Sequence, residues 1–588
     1  MADAQAHGGP DGSGVGTAPG VGLGHRRLSI IDVAGSPQPM ASADGTLTVT
    51  YNGEIYNFAA LRAELQGRGA VFTTAGDTEV LLHGWAAWGP ALLDRLNGMF
   101  AFALHDARRQ CLFLARDRLG VKPLHYVELS DGAVAFASEL KGLLAHPLLR
   151  RSPDIRAVED YMAFGYVPDD TCLVAGVKKL PAGHSLLIER GKPVPAPSRW
   201  WDVDFSRRAT GSAKALEEEL VALLRDAVTS RMVSDVPLGA FLSGGVDSSA
   251  VVALMAEASR GAVRTCTIGF DQNSLDERRY ADVIAERFAT RHRERVVAAD
   301  NFSLIDTLVH AFDEPFADAS ALATYRVCEL AREDVTVALS GDGADEAFAG
   351  YRRYKFQAAE ERVRAMVPAS IRSNLFGTLG RWYPKADWAP RPLRAKTTLL
   401  ALAEDGAEGY ARSVGVTTPA LRAALFTDHA RAALGGHRAE DRYVRSMRDA
   451  PARDALDRAQ YADFQHWLPG DILTKADRTS MAVGLEAREP LLDYRLVEFA
   501  AKLPADMRLR GGQGKWLLKK AMERYLPREI LYRPKMGFVT PISAWFRGAL
   551  GDEAAALASS RVLVGSDEDE DSLRKAVAET LRRTGGTL

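Results

Sequence analysis

The sequence predicts an α/β protein in two parts, a layered sandwich of sheets and helices followed by a parallel sheet flanked by helices. Three observations carry this. In the first third of the chain, short apolar runs alternate with two stretches of helical spacing. Further on, two buried strands each end abruptly in a glycine turn with a helical pattern behind it: LGAFLSGGVDSS at residues 238–249 and VTVALSGDGADE at residues 335–346. A third strand, VRTCTIGF at residues 263–270, lies between them, and strand-helix-strand spacing of this kind implies a parallel sheet with ligands at the carboxyl ends of its strands.

A chain of 588 residues holds two or three domains. The sandwich is expected over residues 1–190, a Pro-, Arg- and Ser-rich linker over 191–214, the parallel-sheet domain over 215–550 and a solvated tail over 551–588. A net charge of −2 argues against nonspecific nucleic-acid binding and against an anionic membrane surface. No apolar run approaches the ~20 residues of a membrane helix. The opening MADAQAHGGPDGSG has neither a basic region nor an apolar core, so no signal peptide is expected. The four cysteines are scattered without a CxxC pair, which suggests neither a zinc site nor a disulfide framework. A cytoplasmic enzyme is the expectation.

The elements follow in order. After a glycine-rich opening, LTVTYNGEIYN at residues 47–57 reads as an alternating strand that turns at Asn52-Gly53. A helix carrying Leu61 and Leu65 comes next, then helical spacing over residues 78–88 and a hairpin-like pair, MFAFALHD and CLFLARD. Residues 216–232 have helical spacing and lead into the first glycine turn. There Gly244 and Gly245 let backbone approach a ligand, and the free N–H groups of the following helix attract an anion. Ser243, Ser248 and Ser249 add hydroxyl donors, whereas Asp247 suits a phosphate only with a metal ion between them. No lysine follows the glycines, so this is not the loop of kinases and GTPases. At the second turn Asp342, Asp345 and Glu346 repel one another unless a cation joins them or they stay partly protonated. Lys475 and Arg478, three apart on one helical face, are candidates to neutralise phosphate charge, with salt bridges to Asp471 and Asp477 as the alternative. An Ala- and Arg-rich helical insertion, residues 362–453, either covers the substrate pocket or forms a subunit contact, as in a homodimer.

The SGGVDSS stretch resembles the SGGxDSS pyrophosphate loop of the N-type ATP pyrophosphatases, which split ATP between its α and β phosphates. HRRLSIID, YNGEIYN, GDTE at residues 76–79, NGMFAFALHD, ARDRLGVKPLHY and ASELK resemble the class II glutaminase domain of glutamine-dependent asparagine synthetases. DEPFADASA, LPGDILTKADRTSMAVGLEAREPLLD, GKWLLKKAM and RPKMGFVTPISAWF resemble that family's synthetase half. The resemblance spans residues 7–548. It implies an Ntn-type αββα sandwich, here lacking its first strand, joined to an adenine-nucleotide α-hydrolase-like parallel sheet.

The resemblance also implies roles. Arg27 would hold the glutamine carboxylate, Glu54 and Asp77 its amine, and Asn52 with the Gly53 N–H the oxyanion, an incomplete set here. Phe241, Leu242, Ser243, Gly244, Gly245, Asp247, Ser248, Ser249, Ile268, Ser340 and Gly341 would bind ATP. Asp247 and Asp345 would serve Mg²⁺. Asp342 would help to deprotonate ammonia beside Glu346, Tyr351 would lie near the acyl-adenylate, and Lys475 or Arg478 would be the phosphate-binding cation. The family's glutaminase begins with a nucleophilic cysteine at residue one. This sequence has none before Cys111, and HGGPDG stands where the family has HRGPDG. Purified protein of this sequence is therefore expected to show no glutaminase activity. Ammonia from solution or from a partner would then replace glutamine as nitrogen donor.

The implied reaction is ATP-dependent amide formation on a small carboxylic acid, aspartate or another. A second expectation keeps the adenylation but uses the substrate's own amine, as in β-lactam synthetases and lasso-peptide cyclases, or tailors a natural product. A third is a non-catalytic scaffold, which the intact pyrophosphate loop disfavours.

Overall fold

In the computed structural model the residues described are 1–270, 276–297, 303–383, 396–535 and 540. The tail beyond residue 550 and most of RPKMGFVTPISAWF lie outside them.

The N-terminal part is a four-layered helix-sheet-sheet-helix stack. Strands β1 (Gly12–Ala18) and β2 (Val21–Arg27) form a hairpin. Strands β3 (Met40–Ala41), β4 (Leu47–Ile55), β5 (Gly98–Asp106), β6 (Cys111–Arg116), β10 (His184–Glu189) and β11 (Ser198–Arg199) form a sheet in the order β11-β10-β6-β5-β4-β3. Strands β7 (His125–Glu128), β8 (Val134–Ala137) and β9 (Lys178–Lys179) form a smaller sheet. One face of the large sheet, Val49, Tyr51, Phe100, Phe102 and Phe113, packs on Leu61, Leu65, Val80, Leu81 and Trp85 of helices Phe58–Gly67 and Thr78–Trp88. Its other face, Ala101, Ala103 and Leu114, meets Tyr126. Val127, next along β7, points the opposite way onto Leu140 and Leu143 of the fourth layer, as the two-residue period of a strand requires.

The expected turn at Asn52-Gly53 is absent. Strand β4 runs straight through both residues, pairing Asn52 with Ala101 and Gly53 with Phe100. The glycine answers a different need: at φ +140° a Cβ there would stand 2.0 Å from the Met99 carbonyl oxygen. A glycine inside a strand marks close approach of another backbone as readily as a turn.

The C-terminal part is built on five parallel strands, β12 (Leu238–Phe241), β13 (Arg264–Phe270), β14 (Arg291–Val297), β15 (Val337–Leu339) and β16 (Glu486–Arg488), in the order β14-β13-β12-β15-β16. Leu216, Leu220, Leu224 and Val228 of helix Ala213–Ser230 and Val251–Met255 of helix Val246–Ala258 bury one face. Ala323, Val327 and Leu330 of helix Ser320–Arg332 pack on Cys266, Ile268 and Phe270 on the other. From β12 the chain moves outward to β13 and β14, then returns to place β15 on the opposite side. The strand order thus reverses between β12 and β15, and a crevice opens at such a point outside the carboxyl ends. No helix among the described residues is long and apolar enough to cross a membrane.

Candidate active site

The crevice at that reversal is a cavity of about 930 Å³. The two glycine turns form its floor. Gly244 adopts φ +66°, where a Cβ would lie 2.4 Å from the Tyr280 carbonyl carbon, so only glycine fits. Gly245 opens helix Val246–Ala258 without any side-chain cap, leaving the first N–H groups of the helix facing the cavity. Ser248 Oγ accepts from the Ser243 N–H at 3.2 Å and lies 3.1 Å from Ser243 Oγ, which fixes the loop. Ser249 is buried with its hydroxyl lacking a hydrogen-bond partner among the described residues. On the second strand, the Ser340 N–H donates to the Arg488 carbonyl at 2.8 Å, and its hydroxyl donates to Asp342 at 2.6 Å. Phe241, Leu242 and Ile268 form an apolar side, while Arg533 closes another edge by pairing with Glu277 at 2.7 Å.

Asp247 and Asp345 come together across this floor through a lysine. Lys515 Nζ stands 2.5 Å from Asp247 Oδ2 and 2.8 Å from Asp345 Oδ1, and Lys535 also pairs with Asp345. Burial alone would raise the Asp345 carboxyl, but the two ammonium groups hold it at about 2. Burial pushes Asp247 up in spite of Lys515, and its Oδ1 is buried without a partner. Glu346, 1% exposed, accepts from the Tyr351 hydroxyl at 2.7 Å, which itself accepts from Trp467 Nε1 at 3.2 Å. Burial and the neighbouring Asp345 push the Glu346 carboxyl to about 7.

The two expected phosphate cations part company. Lys475 lines the large cavity, its ammonium 2.6 Å from Asp318 Oδ2 and 2.9 Å from Ser320 Oγ. Arg478 reaches the opposite way to Glu139 at 3.3 Å and lines a second cavity. Helix Thr474–Met481 runs between the two spaces, so three residues of offset are enough to divide them.

That second cavity, about 350 Å³, collects Arg27, Asn52, Gly53, Glu54 and Asp77. Their side chains are largely committed within the protein. The Arg27 guanidinium donates to the carbonyls of Ile31, Asp32 and Val33. Asp77 accepts from the Tyr51 hydroxyl at 2.8 Å and the Ile55 N–H at 2.9 Å. Glu54 pairs with Arg488 of β16 at 3.2 Å, but its Oε2 is buried without a partner. Asn52 Nδ2 donates weakly to Ser138 Oγ at 3.4 Å.

Comparison with known proteins decides the family. Residues 219–585 match the asparagine synthase family, and residues 1–201 match the glutamine amidotransferase domain. A putative glutamine-hydrolyzing asparagine synthetase of Mycobacterium bovis is 36% identical, covering 92% of this chain and 83% of the relative. The chain belongs to the asparagine synthetase family. Asparagine synthetase 1 (glutamine-hydrolyzing) of Bacillus subtilis is 33% identical over 93% of this chain and 84% of its own length. A Penicillium rubens protein named amidase chyE is 27% identical over 93% of this chain and 85% of its own. The protein is thus a member of a family of amide-forming, ATP-using ligases, an enzyme of α/β architecture.

Magnesium can be tested against the donors present. Among the described residues no three His, Cys, Asp or Glu side chains form a metal-binding group. The orphaned Oδ1 of Asp247 nevertheless suits Mg²⁺, which is usually held by one or two carboxylates plus phosphate oxygens. The pair fits an ion that arrives with a nucleotide better than a resident one. Two further residues went unassigned in the sequence. Lys515 sits in a Gly-Lys-Trp string whose only local signal is the preceding glycine, needed because a Cβ at Gly514 would lie 2.2 Å from the Ala349 carbonyl oxygen. Asp471, 2% exposed, lines the large cavity, and sequence distance to Lys475 suggested only a salt bridge.

Proposed function

We propose that this synthetase family member adenylates a small carboxylic acid with ATP, releases pyrophosphate and passes the acyl group to ammonia, giving an amide and AMP. The observation that carries the reading is the convergence of both glycine turns, Asp247, Asp345 and Lys515 on one crevice. The Gly244 N–H and the open N-terminus of helix Val246–Ala258 would hold the departing pyrophosphate. Lys515 and Lys535 supply positive charge where negative charge accumulates as the α–β bond breaks. Asp247 and Asp345 would hold Mg²⁺, which would supply positive charge to offset that of the phosphates. Phe241, Leu242 and Ile268 give the adenine an apolar wall.

The substrate carboxylate oxygen attacks the α-phosphorus, the α–β bridging bond breaks, and the pair of electrons leaves with pyrophosphate. Ammonia then attacks the acyl carbon, AMP departs, and the extra proton passes to a nearby carboxylate. Asp342 and Glu346 are the acceptors at hand, and Tyr351 orients the second. Lys475, turned toward Asp318 and Ser320, faces the same space as a cation for the α-phosphate. Ammonia, free or released from glutamine, is the nitrogen donor. The test is a screen of carboxylic acids, aspartate first, for acid-dependent pyrophosphate release, with one amide and one AMP formed per pyrophosphate when ammonium is added. Release of pyrophosphate with no acid in the screen would refute the reading.

A further inference from the structure

The helical insertion contains one element whose sidedness is reversed. Helix Ala369–Trp382 rests on helix Lys396–Ala403 through its small residues: a Cβ at Gly380 would stand 2.8 Å from Leu400, and one at Gly377 would stand 3.6 Å from Ala403. Arg372 fixes it there, donating to the Val367 carbonyl at 3.0 Å, the Leu402 carbonyl at 3.0 Å and the Glu404 carbonyl at 2.8 Å. Its large apolar side chains point the other way. Trp382 is 84% exposed, and Ile371, Leu375 and Leu379 are 52%, 49% and 48% exposed. A surface helix with no further contact to make turns such residues inward and leaves the small ones outside. A contiguous apolar stripe left on the surface marks an interaction site.

Spacing identifies what fits it. The four residues follow one another at steps of four, four and three, forming a single seam along about 16 Å of helix. The seam matches itself when reversed, because Ile371 with Trp382 and Leu375 with Leu379 are spaced about the same centre. An antiparallel copy would set Trp382 against Ile371 at both ends and Leu375 against Leu379 in the middle. A two-fold contact requires self-complementarity of this kind. It also requires that like charges not be brought together. Arg372 and Arg381 are the only charged residues of this helix, the first buried beneath it and the second near its end. Exposed beside the seam are Ser370, Asn374 and Thr378, all uncharged. A helix built to lie on a membrane surface carries Lys and Arg there instead.

We propose that this seam is where two copies of the chain meet, with helices Ala369–Trp382 pairing antiparallel about a two-fold axis between Leu375 and Leu379. One helix from each copy makes a small interface, at the end of the range that buries less than ~1,200 Å², so the dimer is reversible with a Kd of about 1–100 µM. The inference does not depend on the adenylation reading.

Sedimentation velocity of the full chain, over a concentration series that brackets this range, should show monomer giving way to dimer as concentration rises. Leu375→Glu combined with Leu379→Glu sets like charges against each other at the centre of the contact. That protein should stay monomeric throughout and keep its thermal midpoint, since both side chains are half-exposed in the single chain. Trp382→Ala, which removes the most exposed anchor, should weaken the dimer by ~10-fold or more. Val71→Glu, which alters an exposed apolar residue of the N-terminal part, should dimerise as the wild type does. A wild-type chain that is monomeric across the whole series overturns the proposal. So does a monomer that binds vesicles of phosphatidylcholine and phosphatidylglycerol, which would make the seam a membrane contact. A dimer that survives both glutamates and the loss of Trp382 with its affinity unchanged overturns it equally, because the copies would then meet elsewhere.

Discussion

At the scale of single residues, Lys515 holds the site together. Without it, Asp247 and Asp345 would face each other across the crevice floor with only Lys535, paired with Asp345, to offset their charge. Its own ammonium is favoured there by the same two carboxylates, which overcome the penalty of burial. Lys515→Gln is expected to lower pyrophosphate release by about 10²–10³-fold. Activity within ~3-fold of wild type would show that the lysine is only structural. The sequence revealed one side of this arrangement and hid the other. Ser243-Gly244-Gly245 and Asp247 are legible because the turn, the helix start and the anion site are local, all within a few residues. The lysine is 268 residues from its partner, and nothing in its neighbourhood says which carboxylate it meets. Asp471 is hidden for a related reason: at four residues' separation Lys475 looks like its partner, and only the fold shows that Asp318 has taken that cation. The split of Lys475 and Arg478 between two cavities is likewise a tertiary fact.

At the scale of elements, the π-helical segment Asp463–Leu473 positions one wall of the cavity. Pro469 has no N–H to donate and disturbs the regular ladder. Thr474 Oγ1 donates to the Pro469 carbonyl at 2.8 Å, tying the end of the segment to the next helix. At its start Asp463 is tied down by the hydroxyls of Tyr354 and Tyr410 and by Arg353 at 2.8 Å. Gly470→Ala should cost about 1–3 kcal/mol, because the new methyl meets the Tyr166 ring. A thermal midpoint that does not move would contradict this packing account. Long periodic elements such as Thr78–Trp88 were legible because helical spacing recurs over several turns. Asn52-Gly53 was misread because glycine serves close approach and turning equally well, and the neighbour that decides between them, Met99, lies 46 residues away in the chain. A π-helical register has no spacing signature that a short apolar segment can display.

At the scale of the whole molecule, the two cavities share walls. Helix Thr474–Met481 gives Lys475 to one and Arg478 to the other, and β16 gives Arg488 to Glu54 while its carbonyl supports Ser340. Two further ion pairs, the buried Lys122 with Asp477 at 3.1 Å and the half-buried Lys179 with Glu314 at 2.6 Å, join the two parts. Two histidines whose protonation is suppressed in the fold, His125 and His466, predict a loss of stability in acid. His125, 2% exposed, is held neutral chiefly by burial and also by Lys179 and Arg478, with its ring 3.1 Å from the Ser138 carbonyl. Burial lowers His466 to about 4. Both side chains bind a proton more readily in the unfolded chain, near pH 6.5, than in the folded one. Their contribution is therefore complete above about pH 6.5 and is lost as the pH falls toward 4. The thermal midpoint should drop across that window, each histidine adding up to about 1.4 kcal/mol per pH unit. His125→Asn, which retains an amide donor for Ser138, should flatten the slope; an unchanged slope would mean His125 titrates normally.

The central claim is that an acid is activated by cleavage between the α and β phosphates of ATP. Exchange of labelled pyrophosphate into ATP, with the acid substrate present and ammonium absent, tests it most directly. The structure predicts exchange that depends on the acid and is lost in Lys515→Gln. Acid-dependent turnover that forms ADP and orthophosphate, with no pyrophosphate exchange, would contradict it.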